Sequence, residues 1–102
     1  MKMCTVSEWD VPKEPEKGKA YYEYVKKITP FTDKLYKELD IHSSGWSDGA
    51  GHVINIVEYP SVEAYAKVLN NEEYQKLIVN LARRVQNASH QVLRQASFIP
   101  FE

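Results

Sequence analysis

Few side chains in this sequence have the chemistry to move a proton or hold a ligand. His42 is one, because an imidazole titrates near neutrality and can act as acid or base. Asn55 is another: it interrupts the aliphatic run VINIV, and a buried carboxamide must find partners, either a ligand oxygen or a neighbour such as Ser44. Trp46, Tyr59 and Tyr65 could stack on a planar ligand, although aromatic rings also fill cores efficiently. The arginines Arg83, Arg84 and Arg94 are expected to be solvated or interfacial charges, and Cys4, in a strand-like run without a basic neighbour, reads as a small buried hydrophobe.

The three histidines invite a metal reading that spacing argues against. His42 and His52 fall at opposite ends of one hairpin, roughly 17 Å apart at about 3.3 Å per residue, and His90 lies about 14 Å away across three strand spacings. Bonds of about 2 Å to one ion cannot gather them in one subunit. No metal and no cofactor are expected.

Positioning these groups takes alternating strands and helices. Residues 2–9 carry strand formers, residues 10–18 hold two prolines and a glycine and read as a loop, and from Lys19 apolar residues recur at helical spacing through Tyr21, Val25, Ile28, Thr32, Leu35 and Leu39. Pro30 within that run predicts a kink or fresh helix start capped by Thr29. A weak strand over 41–48 and a strong one over 52–59 flank DGAG, a hairpin signal. Pro60 ends the second of these, Ser61 caps a helix, Asn70 and Asn71 break it, and Tyr74, Leu77, Ile78, Leu81 and Val85 form the apolar face of the next helix. Residues 89–99 read as a fourth strand.

The predicted order is βαββαβ over residues 1–102, a single domain of the α+β class. It is the ferredoxin-like arrangement, a four-stranded antiparallel sheet with helices on one face. Nothing in 102 residues is left to cover the other face, so two sheets pairing as a dimeric α+β barrel, a homodimer, is the expected solution.

Composition narrows the partners. Thirteen basic and fourteen acidic residues give a net charge of −1, which removes the electrostatic reason to expect nucleic acid. No apolar run approaches the roughly 18 residues that span a bilayer, and no secretory signal is evident, so no membrane partner and a cytoplasmic location are expected.

The strand order together with EYPSVEAY and NNEEYQKL resembles the dimeric α+β barrel superfamily, which includes antibiotic-biosynthesis-type monooxygenases, haem-degrading enzymes, isomerases and stress-responsive barrels. In the monooxygenase-like branch an Asn on the third strand, an aromatic four residues later and a Tyr on the next helix line the cavity. The resemblance assigns those places to Asn55, Tyr59 and Tyr65, with Tyr59 where Trp is usual. Leu69 stands where haem-degrading members carry His, so haem degradation is not implied.

Taking DGAG as a symmetric turn pairs Ser44 with Asn55, His42 with Val57 and Trp46 with Val53. His42, Ser44 and Trp46 would then share an inter-sheet cavity face with Asn55 and Tyr59, while Ile54, Ile56 and Glu58 would lie on the helix side. Two uses remain open on this reading. In one, a cofactor-independent monooxygenase or isomerase acts on a small aromatic or apolar metabolite, with Asn55 and His42 catalytic and Trp46, Tyr59, Tyr65 and Ser44 binding. In the other, the same residues fill a non-enzymatic ligand-binding or interaction module.

Overall fold

The computed structural model describes residues 2–95. Its order is β1 (Met3–Asp10), α1 (Pro15–Glu38), β2 (His42–Ser47), β3 (His52–Tyr59), α2 (Val62–Leu69), α3 (Glu72–Ala82) and β4 (Gln86–Arg94). All strand pairs are antiparallel, in the order β2-β3-β1-β4. The ferredoxin-like α+β architecture expected from the sequence is the one observed, with the helices on one face.

Local chemistry sets the boundaries. Ser61 Oγ accepts the Ala64 N–H at 3.1 Å, so the expected cap forms, and Asn71, expected only as part of a break, caps the next helix by accepting the Tyr74 N–H on Oδ1 at 2.9 Å. α1 begins at Pro15, earlier than expected, because proline is suited to the first helical turn. It ends without glycine: Asp40 takes φ 57°, and the Ile41 N–H reaches the Tyr36 carbonyl at 2.8 Å, closing the last turn and turning Ile41 into the core. β4 starts at Gln86 rather than 89, where Asn87 at φ 53° sits beside a register shift against β1 and donates from Nδ2 to Asp10 Oδ2 at 2.8 Å. The predicted end of that strand, 96–99, lies outside the described residues.

The expected break at Thr29 does not occur. α1 runs through Pro30, which is exposed, so the carbonyl that loses its N–H partner there can be met by water. Thr29 is a helical residue rather than a cap, and its hydroxyl donates back to the Val25 carbonyl at 2.6 Å.

The core lies between the sheet and the helices. Met3, Val57 and Tyr59 from the strands pack with Tyr36 of α1, Ile41, and Ala64 and Val68 of α2. α1 is tied to β1 by Trp9 Nε1–H donating to Tyr21 Oη at 2.9 Å, and to α3 by the Tyr24 hydroxyl donating to the Leu77 carbonyl at 3.3 Å. Arg84, just past α3, stacks its guanidinium 4.3 Å from the centre of the Tyr24 ring.

This core reverses the expected faces of the sheet. Val57 and Tyr59 are 3% exposed and turn toward the helices, which by alternation carries Asn55 with them. Ile54, Ile56 and Glu58 are on the opposite face, which no helix of the described residues covers, with Cys4 and Val6 of β1; Cys4 is only half-buried. The β2–β3 register also differs by one from the expected pairing. Asp48 N–H bonds the His52 carbonyl at 3.2 Å, so the loop is the three residues Gly49, Ala50 and Gly51, with Gly49 at φ 80° and Gly51 at φ 95°. Asp48 Oδ1 enforces that odd loop by accepting from Ala50 N at 2.8 Å and His52 N at 3.2 Å. Gly45, not Ser44, therefore stands opposite Asn55, and His42 stands opposite Glu58.

On the uncovered face His52 is clamped between two carboxylates, Nδ1 at 2.7 Å from Asp10 Oδ1 and Nε2 at 2.9 Å from Glu8 Oε1. The hydrogen bonds to Asp10 and then Glu8 raise the His52 pKa above 6.5, while those from Asn87 and then His52 lower that of Asp10 below 3.8. Stability from His52 is complete below its unfolded value and is lost as pH rises through the raised one. That from Asp10 is present above 3.8 and lost as pH falls through the lowered one. His52→Gln is thus expected to destabilise most near about pH 5, with the difference from wild type fading by about pH 9 in paired urea titrations. A constant difference across that range would show that the clamp carries no net charge interaction.

Among the described residues no helix is long and apolar enough to cross a membrane, and no group of three or more His, Cys, Asp or Glu is placed to hold a metal ion.

Candidate functional site

A pocket of about 340 Å³ opens between the sheet and the α2–α3 pair. Its floor is the helix-facing side of β1, β3 and β4, with Thr5, Ser7 and Trp9 from the first strand and Asn55, Val57 and Tyr59 from the third. α2 contributes Tyr65 and Leu69, and α3 contributes Tyr74, Ile78, Leu81 and Ala82. Val85 follows α3, and Ala88, Ser89 and His90 form the β4 side. This is a mostly apolar cleft with a few converging polar groups, of the size that takes a small organic molecule.

The helix periodicity explains the roof. Tyr74, Ile78, Leu81 and Val85 were expected on one apolar face; Leu77 on that face is buried, and the other four line the pocket. Ile78 remains 41% exposed and Leu69 45%, so the apolar lining continues out to the rim.

One polar row crosses the floor. Cross-strand pairing sets Gly45 beside Asn55, Asn55 beside Ser7, and Ser7 beside His90. Ser7 Oγ and His90 Nδ1 are 2.7 Å apart. Ser43 Oγ donates to Asn55 Oδ1 at 3.3 Å, taking the part expected of Ser44. Among the described residues no hydrogen bond engages the Asn55 side-chain NH₂, which leaves a donor for a ligand oxygen.

The tyrosines supply neutral hydroxyls and ring faces. Tyr59 and Tyr65 meet edge to face with centroids 5.0 Å apart. Burial pushes the Tyr59 pKa up to about 12, against a smaller lowering by its hydrogen bond with Thr5. Burial likewise raises Tyr74, whose hydroxyl lies 3.1 Å from that of Tyr36. Tyr36, buried in the same core, is raised further still by desolvation.

Of the six residues singled out from sequence, the structure brings Asn55, Tyr59 and Tyr65 together at this pocket and separates the other three from it. His42, Ser44 and Trp46 lie on the uncovered face with Ile54 and Ile56, and Trp46 is 64% exposed there. The physical cause is the three-residue turn, combined with burial of Val57 and Tyr59 against the helices. The cavity itself is within one chain, beneath its own helices, rather than on the face where two sheets were expected to meet. Ser7 and His90 were missed; the pairing of β1 with both β3 and β4, which sets them in Asn55's row, has no local sequence signal.

The fold is the ferredoxin-like α+β architecture also seen in solved structures of antibiotic-biosynthesis-monooxygenase and NIPSNAP-like proteins. The sequence itself matches no protein-family model and no curated protein. Rv0793 from Mycobacterium tuberculosis superposes with a TM-score of 0.71 at 14% identity, covering 95% of this chain and 97% of that one. SnoaB from Streptomyces nogalater, a cofactor-independent oxygenase, superposes at 0.64 and 13% identity, with 97% of each chain covered. A putative antibiotic biosynthesis monooxygenase from Deinococcus radiodurans gives 0.66 at 10% identity over 98% of each. At these identities the likeness is one of fold.

Proposed function

We propose that this chain is a one-domain, homodimeric α+β barrel protein that binds a small aromatic or apolar metabolite beneath α2 and α3 and turns it over by cofactor-independent oxygenation or isomerisation. The observation that carries this reading is the apolar pocket of about 340 Å³ with Asn55 on its floor. Tyr59 and Tyr65 enclose the ring system, and the Asn55 amide holds an oxygen of the ligand, fixing its orientation for reaction. The oxygenase fold neighbour SnoaB supports the reaction class.

Asn55→Ala is expected to weaken ligand binding by roughly 5–30-fold, the equivalent of one desolvated hydrogen bond of about 1–2 kcal/mol. Thermal-shift titration of wild type and variant with aromatic acids and quinols measures this. Equal shifts in both proteins remove Asn55 from the site.

The homodimer is supported by the uncovered face, where half-buried Val6, Ile54 and Ile56 adjoin exposed Trp46 and Leu93. Sedimentation at micromolar concentration is expected to give twice the 11.8 kDa of one chain. A stable species of 11.8 kDa contradicts the barrel.

A further inference from the structure

Among the described residues the pocket's lining contains one group suited to take a proton from a bound ligand. No Asp, Glu, Lys or Arg among the described residues lines it. Tyr59 on β3, Tyr65 on α2 and Tyr74 on α3 are phenols that serve as donors or ring faces. β1 contributes only neutral Thr5, Ser7 and Trp9. That leaves His90, on the β4 side, whose imidazole carries a nitrogen lone pair able to take a proton.

One hydrogen-bond contact orients its ring. Ser7 Oγ sits 2.7 Å from Nδ1, and Ser7 is the direct cross-strand neighbour of both His90 and Asn55. In the tautomer that carries its proton on Nδ1, the ring donates to Ser7 Oγ and Nε2 keeps its lone pair. His90 and Asn55 are two strand spacings apart, roughly 10 Å between backbones, so side chains reaching inward from each can meet one small aromatic molecule.

We propose that His90 is the general base of this site, positioned by Ser7, and that the ligand is an aromatic compound bearing an ionisable hydroxyl. The inference rests on the pocket reading given above and deepens it. The step is a proton transfer: the ligand O–H bond breaks, the proton passes to His90 Nε2, and the electron pair stays on the ligand oxygen. The resulting aryloxide faces an imidazolium, and the Asn55 NH₂ serves as a neutral donor to the ring system's other polar edge. Ser7 is a positioning residue, acting through the ring it holds.

The test uses 4-nitrophenol, whose ionised form has its own visible absorbance, titrated with full-length protein across neutral pH. In wild type the bound probe is expected to ionise about one pH unit or more below the free probe, because an adjacent imidazolium favours the anion. His90→Gln, on an exposed edge strand, is expected to keep the probe bound while moving its ionisation to or above the free value, since the remaining wall is apolar. Ser7→Ala should give an intermediate profile and Ser7→Thr, which retains a hydroxyl, should restore the wild-type one. Identical ionisation profiles for wild type and His90→Gln overturn His90 as the base while leaving the pocket in place. Failure of wild type to bind the probe at all overturns both the inference and the pocket reading.

Discussion

Val68→Asp is expected to destabilise the chain by about 3–5 kcal/mol. Val68 is the one fully buried side chain of the core among the described residues, at 0% exposure, and it packs with Tyr36, Val57, Tyr59 and Ala64 where the sheet meets α1 and α2. A carboxylate there meets no cation. Leaving a charge buried and unpaired costs on the order of 3–5 kcal/mol, against a total stability of about 5–15 kcal/mol for a domain of this kind. At a urea dependence of about 2 kcal/mol per molar, the midpoint should fall by roughly 2 M or more. Val68→Ala is a graded control, since losing two buried carbons at about 0.8 kcal/mol each plus the resulting cavity should cost about 2–3 kcal/mol. A Val68→Asp midpoint within about 0.5 M of wild type would place the core elsewhere.

Ala82→Trp is expected to produce the largest loss of ligand binding with little loss of stability. Ala82 is exposed at the end of α3 yet lines the pocket rim, so an indole there can occupy the cleft without disturbing the buried layer. The helix-propensity cost of the exchange is below about 1 kcal/mol. An indole projecting into the cleft fills part of its about 340 Å³ and crowds a second ring lying against Tyr59 and Tyr65. Affinity for 4-nitrophenol should drop tenfold or more, which is about 1.4 kcal/mol, in calorimetric titration. Trp46→Ala, on the uncovered face, should leave it unchanged. Wild-type affinity in Ala82→Trp puts the bound molecule somewhere other than beneath α3.

Much of the fold was legible because it is written in local signals. VINIVEY is rich in strand formers, Ser61 is a good cap, and Tyr74 to Leu81 repeats at helical spacing; each of these forms as expected, although α3 stops at Ala82, short of the Val85 included in that face. The end of α1 was less legible, because Asp40 adopts the left-handed conformation usually given to glycine. The faces of the sheet were not legible at all. Both sides of β3 are apolar, Ile54 and Ile56 on one and Val57 and Tyr59 on the other, so composition does not tell which side meets the helices. DGAG reads equally as a symmetric four-residue turn, and only the Asp48 side chain's bonds to Ala50 and His52 reveal an odd loop. That single residue of register moved His42, Ser44 and Trp46 away from Asn55. The candidate site was therefore half readable: the Asn55, Tyr59 and Tyr65 trio came from resemblance, while Ser7 and His90 depend on pairings between strands more than eighty residues apart.

The central claim is that the ligand lies on the helix side of the sheet, beneath α2 and α3. Backbone amide chemical shifts recorded during titration with 4-nitrophenol test it most directly. The account predicts perturbations at Asn55, Tyr65, Ile78 and Ser89, with Val6, Ile54 and Trp46 unmoved. Perturbations confined to Val6, Ile54 and Trp46 would contradict it, by placing the bound molecule on the uncovered face.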